Sequence, residues 1–315
     1  MKVAFVGKGG SGKTTISSLF TRFIASQGLP VIAIDADINQ HMGGALGFSE
    51  ETLDNQPSLG LEIDRIKEYI RGSNPRISSN KAMAKTTPPG KGSNFLKIQK
   101  ENPIWNHFGI TKNGITLLAT GPFSEEDLGI KCYHSKTGAV EIILNHLIDG
   151  EDEYVVQDMT AGADSFASGM FTKFDVTFLV VEPTIRGISV YRQYRDYAKD
   201  HDVTLCVVGN KVEDKDDEAF LKEQIGDDLV TVFGRSQFVK RMEKGYPQDL
   251  NSLEPEHIKN LEKMLQLVDK TPKNWQKFYE QTLDFHIRNA QSWANAQAGE
   301  DLVKQIDPEF SFISL

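Results

Sequence analysis

Residues 7–15 read GKGGSGKTT, directly after the apolar run KVAFV and directly before a helical pattern. Gly7, Gly12, Lys13 and Thr14 satisfy G-x-x-x-x-G-K-[ST] in the strand–loop–helix context that this pattern requires. Glycines let consecutive backbone N–H groups turn toward phosphate oxygens, and the following helix adds the positive end of its dipole. Gly9, Gly10, Ser11, Gly12, Lys13, Thr14 and Thr15 are therefore expected to cradle a nucleotide. Lys13 reaches the β- and γ-phosphates, and the Thr14 hydroxyl serves Mg²⁺. The loop holds a surplus cation, Lys8, at its mouth.

A strand–loop–helix start of this kind belongs to α/β proteins, and the rest of the chain keeps the rhythm. Apolar runs at 2–6, 31–34, 115–120, 154–158, 176–181, 204–209 and 229–233 alternate with helical patterns. The first helix, 14–28, carries Ile16, Leu19, Phe20, Phe23 and Ile24 on one stripe and stops at Gly28. The expected fold is a doubly wound, mainly parallel sheet flanked by helices, with a C-terminal helical appendage. The expected division is a P-loop domain over 1–250 and packed helices over 251–315. Residues 73–103 are rich in Ser, Asn, Pro, Gly and Lys and read as a long mobile insertion.

The strand at 154–158 ends in Asp158, where a carboxylate holds Mg²⁺ directly or through water. IDAD places Asp35 and Asp37 after the second strand. Turn or capping chemistry is the alternative use of that pair. Asn210, in VVGNKVED, can meet a purine edge through its amide, and the Lys211 stem can stack on the ring. Glu213 stands where the N-K-x-D pattern of GTPases has aspartate, which leaves GTP open beside ATP.

With K-G-G-x-G-K-T at 8–14, DAD at 35–37 and QDMTAG at 157–162, the chain resembles the MinD/ParA and nitrogenase-iron-protein class of P-loop ATPases. Within it, AIDAD, DMTAG, VVEPT (180–184) and VGNKV (208–212) resemble most the ATPases that help insert nickel into carbon monoxide dehydrogenase. The resemblance covers roughly residues 1–50 and 115–240. It implies ATP/ADP with Mg²⁺, and a homodimer formed with ATP in which Lys8 touches the partner's phosphates. It also implies that Asp37 orients or deprotonates the attacking water, that Asp35 stands near the outer shell of the metal, and that Asn210 contacts adenine.

That family carries a C-x-C element before a helix; here it is Cys132-x-His134. Two copies across a twofold axis would make a Cys₂His₂ set suited to Zn²⁺ or Ni²⁺, while a surface pair with no ligand role is the alternative. An Fe–S cluster at the axis needs two cysteines per subunit, and Cys206 falls inside a core strand.

Two cysteines fit a reducing, cytoplasmic setting, no stretch reaches the roughly 18 apolar residues of a membrane span, and nothing at the start reads as a signal peptide. The formal net charge is −9, yet residues 65–100 hold nine Lys/Arg against Glu68 alone, a local balance of +8. The aromatic residues there are Tyr69 and Phe95, too few for a base-stacking surface. The leading expectation is an accessory ATPase switch serving a metalloenzyme or other client. A positioning or partitioning ATPase acting on DNA or membrane is the second, and a small-molecule kinase or ligase is the third.

Overall fold

Every residue of Lys2–Gly7 is buried, because this strand lies inside a sheet covered on both faces. In the computed structural model, which describes residues 1–122, 134–159, 166 and 169–312, eight strands form that sheet. They are β1 (Lys2–Gly7), β2 (Val31–Ala36), β4 (Ile110–Lys112), β5 (Ile115–Ala119), β7 (Tyr154–Met159), β8 (Val176–Val181), β9 (Leu205–Val212) and β10 (Leu229–Gly234). Their order is β10-β9-β8-β1-β7-β2-β5-β4, and every pairing is parallel except the β4–β5 edge hairpin. Two short strands, β3 (Leu96–Lys97) and β6 (Leu147–Ile148), pair in parallel beside it.

The helices of the described residues are α1 (Lys13–Ser26), α2 (Met42–Ala45), α3 (Glu50–Asp54), α4 (Ile63–Arg71), α5 (Pro103–Phe108), α6 (His134–Asn145), α7 (Ile185–Ala198), α8 (Lys215–Ile225), α9 (Gln237–Met242), α10 (Pro255–Lys270), α11 (Trp275–Asn289) and the short α12 (Asn295–Ala298). Alternate residues of each central strand feed opposite cores. Ala4, Val6, Ile32 and Ile34 meet α6 and α7 residues such as Ile142, Ile188 and Tyr191. Val3, Phe5, Val31 and Ala33 meet Ile16, Leu19 and Phe20 of α1. The α1 stripe is buried as its spacing requires, and Gly28 takes the left-handed turn (φ 76°) that ends the element.

The C-terminal helices complete this frame. Leu261, Met264, Leu265 and Val268 of α10 join the α1 core. Between α10 and α11, Lys273 reaches Asp149 at 2.5 Å and Asp175 at 2.7 Å, while the buried Lys2 ammonium meets Asp149 at 2.6 Å. Burial pulls Lys2 down to about 8 against the opposing Asp149 charge. Among the described residues no helix is long and apolar enough to cross a membrane.

Residues 73–103, expected to form a mobile insertion, are packed instead. Ile77, Met83 and Leu96 enter the main core. Thr86 and Thr87 are buried and meet His286 at 3.3 Å and Gln305 at 3.1 Å. Gln305 also donates to the Ala82 carbonyl over 2.8 Å, and the Lys91 N–H donates to Asp307 over 2.9 Å. The composition marks irregular backbone correctly. Its hydrogen-bond partners, however, lie some two hundred residues later in the chain, where no local pattern shows them.

Candidate nucleotide site

Parallel strands leave their C-terminal ends on one edge, and β1, β2 and β7 are neighbours there. In that register Asp35 and Asp158 stand side by side, and Phe5 also pairs with Asp158. The loop leaving β1 therefore begins against both carboxylates.

The loop is shaped by its glycines at two points. A Cβ on Gly7 would stand 2.5 Å from Ser11 Oγ and 2.9 Å from the Val180 carbonyl. Gly12 takes φ 89°, and its Cβ would stand 2.1 Å from Asn210 Nδ2. At Gly9 and Gly10 an added Cβ meets nothing within 4 Å, so the loop's outer side is open to a ligand. Thr14 and Thr15 follow in the first turn of α1.

Lys13 and Thr14 turn inward. The Lys13 ammonium donates to Asp37 Oδ2 and lies 3.6 Å from Asp158 Oδ1. Thr14 Oγ1 donates to Asp158 Oδ2 over 2.5 Å. Asp37 Oδ1 accepts from the Asn39 backbone N–H at 3.0 Å and from its side chain at 3.2 Å. Asp35 accepts from the N–H groups of Met42, at 2.9 Å, and Asp37, at 3.3 Å.

Three carboxylates thus face one ammonium. Burial, followed by the charge of Asp158, pushes Asp35 up to about 8. Burial pushes Asp158 up to about 6 although Lys13 opposes it. Burial also acts on Asp37, but the Lys13 ammonium and the Asn39 N–H hold it below the ordinary carboxylate value. Burial likewise acts against Lys13, yet the charges of Asp158, Asp37 and Asp35 keep it above the ordinary lysine value. Asp158 Oδ1 is fully buried and has no hydrogen-bond partner among the described residues. A site with excess buried negative charge and hard oxygen donors fits Mg²⁺, with Thr14 and Asp158 as the groups to hold it and Asp35 behind them.

Asn210 and Lys211 lie within β9, which runs to Val212, past the apolar run that ends at 209. Pairing with β10 passes from Asn210 to Val212, and Lys211 is the bulged residue with φ 60°. The bulge re-aims its side chain. Lys211 Nζ donates to the Gly10 carbonyl and to Glu182 Oε1, both at 2.6 Å, and Asn210 Nδ2 donates to the Ser11 carbonyl at 2.8 Å. Both residues expected at the base thus hold the phosphate loop from behind. Glu213 is paired with Arg235. Glu182 escaped the sequence reading; its place at the end of a strand next to β1 is the signal that could have found it.

Lys8 stands exposed at the loop's mouth and forms no ion pair among the described residues. Cys132 lies outside the described residues; His134 opens α6, and its side chain is outside them too. Cys206 is buried in β9, and burial pushes its thiol up to about 11, as suits an inert core residue.

The chain is similar to known proteins over most of its length. An uncharacterized ATP-binding protein of Methanocaldococcus jannaschii is 30% identical over 267 residues, covering 83% of this chain and 96% of that protein. The carbon monoxide dehydrogenase accessory protein CooC of Rhodospirillum rubrum is 29% identical over 225 residues, covering 71% and 79%. In fold, the septum site-determining protein MinD of Pyrococcus horikoshii, solved with Mg-ADP, superposes with a TM-score of 0.54 at 14% identity, covering 87% of this chain and all of that one. A family model described as the CobQ/CobB/MinD/ParA nucleotide binding domain matches residues 3–289, and the chain belongs to that family.

Proposed function

We propose that this chain is a Mg²⁺-dependent ATPase working as an ATP-switched homodimer, accessory to a metalloenzyme client. The observation that carries the reading is the division of labour between two lysines of one loop. Lys13 is buried against Asp37 and Asp158, while Lys8 of the same loop stands exposed.

The roles follow from position. The loop N–H groups and Lys13 bind the β- and γ-phosphates. Thr14 and Asp158 hold the metal, which when bound supplies Lewis-acid stabilisation of phosphate charge. Asp37, held by Asn39, accepts a proton from the attacking water and orients it. Lys8 stabilises charge on the partner subunit's phosphates, which makes ATP binding and dimerisation one linked event. The likeness to CooC supports a metalloenzyme as client. Cys132 and His134 from two subunits would then hold Zn²⁺ or Ni²⁺. Metal content of the purified dimer, compared with Cys132→Ala, tests that part; equal content removes it.

The switch itself is tested with Lys8→Ala. Its affinity for nucleotide should stay within about twofold, while the mass by light scattering with a non-hydrolysable ATP analogue stays that of a monomer. Normal dimerisation of the variant would sink the reading.

One observation favours a second reading, a positioning or partitioning ATPase. Arg65, Arg76, Lys81, Lys91 and Lys100 of the basic segment are exposed. DNA pelleting or liposome flotation that requires ATP and fades with salt would select it.

A further inference from the structure

The phosphate loop opens sideways into a cleft of about 370 Å³ between Lys8 and the start of α7. It has room for a tetrahedral anion with several waters, at about 30 Å³ per water. Its lining includes Lys8, Ser11, Glu182 and Arg186, with Val181 and Val190 as apolar walls. We propose that this cleft is a second oxyanion site, and that it takes the inorganic phosphate released by hydrolysis before it leaves the protein.

Four kinds of donor converge there. Ser11 lines the cleft and is 3% exposed, and its buried hydroxyl has no hydrogen-bond partner among the described residues. Helix α7 is 14 residues long, and its cap Thr184 already takes the Gly187 N–H at 3.1 Å and the Ile188 N–H at 3.0 Å. The N–H groups of Ile185 and Arg186, in the first turn, have no intrahelical acceptor. Lys8 and Arg186 are exposed cations in no ion pair among the described residues. Glu182 is the one acid of the lining, and Lys211 at 2.6 Å offsets it. Lys8 and Arg186 therefore leave a surplus of two positive charges, matched to a phosphate dianion, and the apolar walls strengthen that attraction.

This assignment rests on the ATPase reading of the same loop. In hydrolysis the water oxygen bonds to the γ-phosphorus, the bridging bond breaks onto the β-phosphate, and a proton is released. The products are ADP and inorganic phosphate, and the second is a free anion at the mouth of the phosphate loop, onto which the cleft opens. Arg186 lies outside the nucleotide loop of residues 7–15 and is exposed, so its substitution should leave the fold intact.

Equilibrium dialysis of labelled inorganic phosphate against protein saturated with Mg-ADP tests the site. Arg186→Ala should weaken phosphate binding at least tenfold with ADP affinity unchanged, and Arg186→Lys should restore most of it. Phosphate inhibition of ATP turnover should weaken in parallel. Equal binding by wild type and Arg186→Ala would mean that phosphate sits only in the nucleotide loop, and would overturn the proposal. So would no phosphate binding at millimolar concentration. Failure of ADP itself to bind would instead overturn the ATPase reading.

Discussion

Asn210 occupies the space that a side chain at Gly12 would need: its Nδ2 would stand 2.1 Å from a Cβ there, and it donates to the Ser11 carbonyl at 2.8 Å. The loop is thus locked from the β9 side. Gly12→Ala meets two costs, a left-handed φ and the displacement of Asn210. Titration calorimetry should find ATP affinity reduced by at least a hundredfold. Asn210→Ala loses one buried hydrogen bond, about 1 kcal/mol, and should weaken affinity roughly fivefold.

Lys13 is the cation that compensates the buried carboxylates. Lys13→Met leaves Asp35, Asp37 and Asp158 facing each other, and breaking a buried pair in this way costs about 3 kcal/mol. Urea unfolding of the nucleotide-free protein should show that loss, apart from any effect on binding. An unchanged midpoint would remove the electrostatic account of the site.

Asp37→Asn keeps the shape of the side chain and removes its basicity. Phosphate release should fall by roughly 10²–10⁴-fold while nucleotide affinity holds. Asp158→Asn should act differently, by weakening the dependence of nucleotide binding on Mg²⁺.

Lys173 is buried, donates to Thr282 Oγ1 over 2.7 Å and stands over the Phe278 ring. Burial pulls its ammonium down to about 7, with Glu141 opposing and Lys2 adding to the shift. At pH values below about 7 the group is charged in both folded and unfolded chains. Between about 7 and the ordinary 10.5, the folded protein has released a proton that the unfolded chain still holds. Its contribution to stability therefore rises with pH across that window. Lys173→Met should flatten the rise, measured as unfolding midpoints in urea at several pH values within the window. An unaltered slope would assign the rise to other cations that burial pulls down, Lys2 and Lys67 among them.

Gln305 joins residues 73–103 to the C-terminal segment through Thr87 and the Ala82 carbonyl. Despite its lysines, that stretch should resist brief trypsin treatment in the native protein. Gln305→Ala should expose cleavage at Lys85 and Lys91, read by mass spectrometry.

The nucleotide loop, its strand and its helix were legible because their information is local. Glycines at fixed offsets, a lysine and a hydroxyl need only a strand before them and a helix after. The alternation of apolar runs and helical stripes likewise sets the sheet class through backbone periodicity alone. Asp35 and Asp158 could be nominated from strand ends, but their adjacency depends on β7 lying between β1 and β2. The backward grip of Asn210 and Lys211 on the loop comes from a bulge, and the Glu182 partner comes from a neighbouring strand. Nothing local announces either contact. The same holds for residues 73–103, whose polar groups find their acceptors and donors in the last helices. Composition reports whether a segment can bury itself unaided; only the folded chain decides whether a distant segment buries it.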